Sequence, residues 1–347
     1  MIISRTPYRI SFFGGGTDYP VWYRENGGAV LGTTIDKFCY ITCRYLPPFF
    51  EHKYRIVYSQ VENVADINEI HHPSVRETLN FMGMTEGVEI HHDGDLPART
   101  GIGSSSSFTV GLLHALGVLK GMTLSRMQLA RHAIHIEQDL IKEDVGSQDQ
   151  VLATFGGLNR VSFGTNHASD TISVEPVILP PERLEFFQDH LMLFFTGFSR
   201  TASHIAREQI KETPRKKREL SEMQGMVDEA VRILTGNGEL SDVGRLMHES
   251  WQLKRSLTSK ISSPYIDYVY ETALNAGAAG GKLIGAGGGG FILLFADPEI
   301  QPGIKERLNG LLQVPFHFEN GGTQIIFSAT EEQYEPAELM RLRGVYV

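Results

Sequence analysis

The chain has 347 residues, 41% hydrophobic and 21% charged, with a formal net charge of −9 and a sequence pI near 5.8. That balance belongs to a globular protein of one large or two moderate domains and excludes a disordered or fibrous chain. The negative field argues against a nucleic-acid partner, since the densest basic run, Arg215-Lys216-Lys217-Arg218, lies in a polar stretch that reads as a solvated helix face.

Cys39 and Cys43 sit four apart in a β-branched, aromatic run, which suits buried free thiols in a reducing cytoplasm better than a disulfide framework or a zinc site. The N-terminal residues lack the apolar core of a signal peptide, and the longest apolar stretch, 291–296, is too short to span a membrane. A cytoplasmic protein with no membrane partner is expected.

In chain order, residues 1–13 alternate as a strand running into Gly14-Gly15-Gly16, and 30–46 form further strand closed by Pro47-Pro48. A helix follows Pro73, and 87–92 is strand. A Gly/Ser loop after Leu96-Pro97 leads into a helix over 108–119, and another helix covers 125–143. Strands at 158–163 and 172–179 end at Pro180-Pro181. A fresh apolar strand at 190–195 places a domain boundary near 180–190, giving units 1–185 and 186–347. Helices at 201–212, 215–235, 239–256 and 264–277 precede a glycine run and the strand 291–296.

Three glycine-rich loops stand out. In LPARTGIGSSSS (96–107), glycines let backbone amides approach an anion, serines can cap the helix start, and the helix dipole favours negative charge there. No Gly-Lys-Ser/Thr follows, so it is not a Walker A loop. The run 285–290 matches GxGxxG, but a helix precedes it and a strand follows, the reverse of a dinucleotide fingerprint. Close backbone approach or a second phosphate-facing loop explains it better. The third loop, FGGGTDYP (13–20), reads as a turn; Asp18 and Tyr19 beside Arg9 would also suit a sugar.

The helix over 125–143 carries a carboxylate in an unusual place. At about 100° per residue, Leu129, Ala130, Ala133, Ile134, Ile136, Leu140 and Ile141 share one apolar arc, and Glu137 falls inside it. An inward carboxylate is costly unless a cation or metal meets it. A salt bridge at a domain seam or a Mg²⁺ site over the serine-rich loop would each do so. Ser147 can cap a short helix that places Asp149 in its first turn, where the dipole favours its charge.

Together these segments resemble the GHMP kinases, the superfamily of galactokinase, homoserine kinase, mevalonate kinase and phosphomevalonate kinase. The resemblance rests on TPYRISFFGGGTDYP (6–20), LPARTGIGSSSS (96–107) and KLIGAGGGGF (282–291), in order, and on the spacing of Glu137 and Asp149. It implies an α+β fold of two domains with the active site in the cleft between them. It further implies an ATP-dependent phosphotransferase using Mg²⁺. The loop Gly101, Ile102, Gly103, Ser104, Ser105 and Ser106 would wrap the ATP phosphates, and Ser105 and Glu137 would hold Mg²⁺. Asp149 matches the catalytic aspartate and Arg9 the basic residue beside it. Thr17, Asp18 and Tyr19, with Asp149, would contact the sugar, and the loop from Lys282 would pack against the nucleotide loop.

Galactokinases carry Glu-His where this chain has Gly15-Gly16, and glycine there would make room for a substrate phosphate. The closest resemblance within the superfamily is to heptose 7-phosphate 1-kinases, with L-fucokinases the nearest alternative. The expected partners are thus a small-molecule sugar phosphate and ATP, and a homodimer is compatible with them. Lys37, Arg99, Arg200, Lys254 and Arg255 are candidate partners for the substrate phosphate, although most such side chains are simply solvated. Two other classes remain: a catalytically silent sugar- and ATP-binding regulator, disfavoured by the presence of both Glu137 and Asp149, and an oxidoreductase, disfavoured by the late glycine context.

Overall fold

The computed structural model describes residues 1–47, 49–164, 171–197, 202–236 and 238–329. Its strands are β1 (Ile2–Phe13), β2 (Gly28–Tyr45), β3 (Tyr54–Val57), β4 (Val61–Val64), β5 (Val88–Gly94), β6 (Asn159–Phe163), β7 (Ile172–Pro176), β8 (Leu191–Gly197), β9 (Gly280–Leu283), β10 (Gly290–Phe295), β11 (Leu312–Gln313), β12 (Phe318–Glu319) and β13 (Gln324–Ser328). Its α-helices are α1 (Pro20–Asn26), α2 (Pro73–Phe81), α3 (Ser104–Leu119), α4 (Arg126–His135), α5 (Gln148–Phe155), α6 (Pro181–Asp189), α7 (Ala202–Glu212), α8 (Lys217–Thr235), α9 (Asp242–Leu257), α10 (Pro264–Asn275) and α11 (Gln301–Arg307).

Two sheets organise the molecule. The first runs β13-β1-β2-β5-β3-β4, with β6 and β12 also on β2 and β7 on β6; the second runs β11-β8-β10-β9. β2 is long enough to change partners along its length: residues 28–32 pair with β6 and 39–45 with β5. The buried helix α3, apolar on most of its circumference through Phe108, Val110, Leu112, Leu113, Ala115 and Leu116, packs against β1 and β2. Cys39 and Cys43 are buried free thiols.

The chain does not part cleanly at 185. The second sheet does begin beyond that point, but β12 and β13 return to the first sheet, where Gln324 to Ser328 pair with Arg5 to Ile2. Both strands were expected in the second unit, yet β13 supplies an edge to the first sheet by filling open ladder groups along β1, and Phe318 and Glu319 of β12 pair with Ile35 and Thr34 of β2. One of two hydrophobic clusters likewise spans both halves: Phe12, Ile10 and Leu31 pack with Phe187, Leu193, Val227 and Phe295. Among the described residues no helix is long and apolar enough to cross a membrane.

Local expectations hold for most long elements, with telling exceptions. Helix α3 begins four residues earlier than its apolar spacing suggests, because its first turn is the serine run itself. The stretch read as one helix over 125–143 is α4 continued by a π-helical turn, Ile136–Leu140. Wide turns of this kind are frequent at functional sites, and Glu137 lies in this one.

Candidate active site

The end of β1, the starts of α3 and α5, and the loop between β9 and β10 meet at one place. Arg9 on β1 donates from Nε to Asp149 Oδ1 at 2.7 Å and from Nη2 to Oδ2 at 2.6 Å. This parallel fork fixes the carboxylate plane as well as its position. The third guanidinium nitrogen, Nη1, donates to the Gly101 carbonyl at 2.6 Å, and the Arg9 amide to the Ile102 carbonyl at 3.1 Å. One side chain therefore holds both the aspartate and the glycine loop. Arg9 is 4% exposed and Asp149 23%, so the aspartate keeps an open face.

The serines do not cap α3. Its N-cap is Gly103, in a left-handed conformation and without a side-chain acceptor. Ser104 Oγ accepts from the Arg99 amide at 3.3 Å, Ser106 Oγ donates to Glu137, and Ser107 Oγ donates to the Pro7 carbonyl at 2.9 Å. The start of this 16-residue helix therefore has no side-chain cap, and uncapped first-turn amides are suited to an anion. The glycine run after β9 lies against the same loop, backbone on backbone: a Cβ on Gly101 would stand 2.3 Å from the Ile284 carbonyl oxygen, and one on Gly285 2.4 Å from Gly101 Cα. That contact accounts for the late glycines.

Glu137 is fully buried. Its Oε2 accepts from Ser106 Oγ at 2.8 Å and from Gln150 Nε2 at 2.5 Å, while Oε1 has no hydrogen-bond partner. Burial raises its pKa to about 7, against the opposing effect of nearby hydroxyls and the side-chain amide. The Thr109 hydroxyl stands close enough to act on that carboxyl, but it donates to the Ser105 carbonyl at 3.2 Å. A buried carboxyl with one oxygen unsatisfied fits a cation ligand, and the residues around it are compatible with Mg²⁺. The hydroxyl in direct contact is Ser106; Ser105 is exposed, one helical turn before Thr109.

Asp18 is buried and binds the Gly16 amide through Oδ1 at 2.9 Å and the Gln148 amide through Oδ2 at 3.3 Å. Burial raises its pKa, chiefly by desolvation. It thereby joins the β1 loop to α5. Ser147 does not cap α5: its hydroxyl instead meets Gln138 Nε2 at 3.1 Å. Thr17 is fully buried, and its Oγ1 lies 2.8 Å from both the Gly14 and the Ala29 carbonyls and accepts from the Ala29 amide, so the hydroxyl helps close the turn. Tyr19 is buried and lines a cavity of about 250 Å³ with Gln138, Glu143 and Asp144.

Of the five candidate cations, Lys254 enters the site. Its Nζ donates to the Gly285 carbonyl at 2.5 Å, and burial lowers its pKa to about 8, with Arg9 lowering it further and Asp18 and Asp149 opposing. Lys37 pairs with Asp36 at 2.9 Å, Arg255 with Asp267 at 2.8 Å, and Arg99 is exposed. Arg200 lies outside the described residues. Lys282, which opens the loop expected to pack against the nucleotide loop, is also a buried lysine: it donates to the Phe12 carbonyl at 2.8 Å, and burial pushes its pKa well down. A lysine opening the apolar segment 282–284 was its one signal in the sequence.

Residues 69–157 match the family described as GHMP kinases N terminal domain, and residues 227–312 match GHMP kinases C terminal. The D-glycero-alpha-D-manno-heptose 7-phosphate kinase of Campylobacter jejuni is 26% identical, over 86% of this chain and 90% of that protein. The bifunctional fucokinase/GDP-fucose pyrophosphorylase of Arabidopsis thaliana is 25% identical, over 87% of this chain but 30% of its own length. The fold is shared with a crystal structure described as a D-glycero-D-manno-heptose 1-phosphate kinase from Bacteroides thetaiotaomicron, with a TM-score of 0.71 at 21% identity, covering 95% of this chain and all of that one. With both halves of the family pattern present, the chain belongs to the GHMP kinases and is a phosphotransferase.

Proposed function

We propose that the protein is an ATP-dependent sugar 1-kinase that phosphorylates the anomeric hydroxyl of D-glycero-D-manno-heptose 7-phosphate, giving the 1,7-bisphosphate. The observation that carries the phosphoryl-transfer reading is the Arg9–Asp149 fork lying beside the uncapped start of α3. Phosphoryl transfer passes through a loose transition state, so positioning and charge neutralisation do most of the work. Asp149, with both oxygens fixed by Arg9, orients the sugar hydroxyl and accepts its proton. Each oxygen keeps a lone pair for that purpose. The amides of Gly101 to Ser106 cradle the ATP phosphates, and Arg9 offsets charge that develops near them. Asp18 uses the lone pairs left by two backbone amides to accept from sugar hydroxyls, and Tyr19 shapes the adjacent wall.

Glu137 would hold Mg²⁺ through Oε1, with Ser105 as its companion and Ser106 orienting the carboxylate through Oε2. When bound, the cation would supply positive charge that offsets the charge on the transferring phosphoryl group. The choice of heptose 7-phosphate is supported by the Campylobacter relative. An unphosphorylated sugar such as L-fucose is the second reading, supported by the Arabidopsis relative. An ADP-release screen of heptose 7-phosphate, free heptose, L-fucose and galactose tests the proposal. Turnover confined to heptose 7-phosphate is expected; preferred turnover of L-fucose would replace it, and no sugar-dependent ADP would leave a silent binder.

A further inference from the structure

Among the described residues, two that are not glycine hold a left-handed backbone, Arg99 (φ +62°) and Lys142 (φ +63°). Such a φ strains a residue with a side chain and is free of strain for glycine. Lys142 has a reason for it in the fold. It follows the π-helical turn, and bonds from the Ile141 amide to the Ile136 carbonyl (2.9 Å) and from the Glu143 amide to the Glu137 carbonyl (2.8 Å) close that helix end around it. A left-handed residue is a common way for a helix to stop.

Arg99 ends no helix. It is the second central residue of the turn over 97–100, where a positive φ favours glycine. Its amide donates to Ser104 Oγ at 3.3 Å, a bond that needs no particular side chain at 99, and Thr100 Oγ1 donates to the Pro97 carbonyl at 2.7 Å. The Arg99 side chain is exposed, and among the described residues its guanidinium has no hydrogen-bond or ion-pair partner. No contact within the fold therefore offsets the strain of an arginine here. Its surroundings are those of the phosphate loop: Ser104 is the first residue of α3, and Gly101 is the carbonyl held by Arg9. The Arg99 charge is felt at Glu143, where it favours the ionised carboxyl, and at His72, the N-cap of α2. A planar, permanently charged fork with its donors unused matches a phosphate group.

We propose that Arg99 is a phosphate-binding residue of the site, kept on a strained backbone for the sake of its fork. The phosphates of the nucleotide and a phosphate already carried by the substrate share that chemistry; the nucleotide is expected, because Arg99 and the first-turn amides of α3 belong to one loop. The assignment rests on the kinase reading above, and binding titrations without turnover separate it from the choice of sugar. Arg99→Gly removes the fork and the strain together. By calorimetry in the presence of Mg²⁺, its Kd for a non-hydrolysable ATP analogue should rise about tenfold or more, its Kd for heptose 7-phosphate should stay within about twofold, and Tm should hold or rise. Arg99→Lys keeps the charge without the fork and should recover part of the affinity, more so at low salt. Lys142→Gly relieves the same strain at a helix end and should leave both Kd values unchanged. A rise confined to heptose 7-phosphate would keep the phosphate and assign it to the substrate. Unchanged Kd values for both ligands in a folded Arg99→Gly protein, or an equal loss in Lys142→Gly, would overturn the assignment. A parent protein that binds the nucleotide but not heptose 7-phosphate would overturn the choice of sugar alone, and one that binds no nucleotide would overturn the ATP-dependent reading and the role of Arg99 with it.

Discussion

Arg9 and Asp149, separated by 140 positions in the chain, are held together by two parallel hydrogen bonds of 2.7 and 2.6 Å. The same guanidinium reaches Gly101, so the proposed base and the phosphate loop share one anchor. Asp149→Asn should lower kcat by about 10²- to 10⁴-fold with little change in ATP affinity, measured by ADP release and calorimetry. Arg9→Lys keeps the charge but loses the fork, and should cost roughly tenfold or more in kcat. Unchanged turnover in Asp149→Asn would remove the aspartate from the chemistry.

Glu137 gives a signed pH prediction. Its pKa rises from 4.5 in the unfolded chain to about 7 on burial. The stability associated with its proton is complete below 4.5 and is lost as pH rises through 7. In the absence of Mg²⁺, Glu137→Gln should therefore be more stable than the parent at pH 8, by up to about 3 kcal/mol, and the gain should vanish in acid. Mg²⁺ should narrow the gap at pH 8, and activity in the variant should require more Mg²⁺. Matching melting curves for the two proteins at both pH values would contradict the inward carboxyl.

Lys254 behaves in the opposite sense. Burial lowers its pKa from 10.5 to about 8, so below 8 the folded protein bears a desolvated cation. Between 8 and 10.5 the unfolded chain keeps a proton that the folded protein has shed, and stability rises with pH. Lys254→Met should thus be more stable than the parent at pH 7, by about 3 kcal/mol at most and less the bond to Gly285, with the advantage fading toward pH 10. Its kcat should nevertheless fall, since a positive charge beside Arg9, Asp18 and Asp149 is gone. In the parent, kcat should decline as pH passes about 8. Flat activity across that range, or full activity in Lys254→Met, would make the lysine structural alone.

Local patterns made several features readable in advance. The apolar arc around Glu137 and the order of three glycine motifs depend on residues close in the chain, where helical spacing and turn chemistry act directly. The loop serines and Ser147 do not cap their helices because a hydroxyl bonds whichever partner lies nearest in space. The Arg99 amide for Ser104, Glu137 for Ser106, the Pro7 carbonyl for Ser107 and the Gln138 side chain for Ser147 are the neighbours that decided these cases.

By itself, then, the sequence determined the family, the long helices and strands, and that one acid would turn inward, since these follow from periodicity and motif order. The tertiary structure alone decided that β12 and β13 would rejoin the first sheet, that Lys254 and Lys282 would be buried, and that Gln209 would close over Gly16. Those outcomes depend on contacts between residues far apart in the chain, which form only when the two sheets share one core, and no local pattern encodes them.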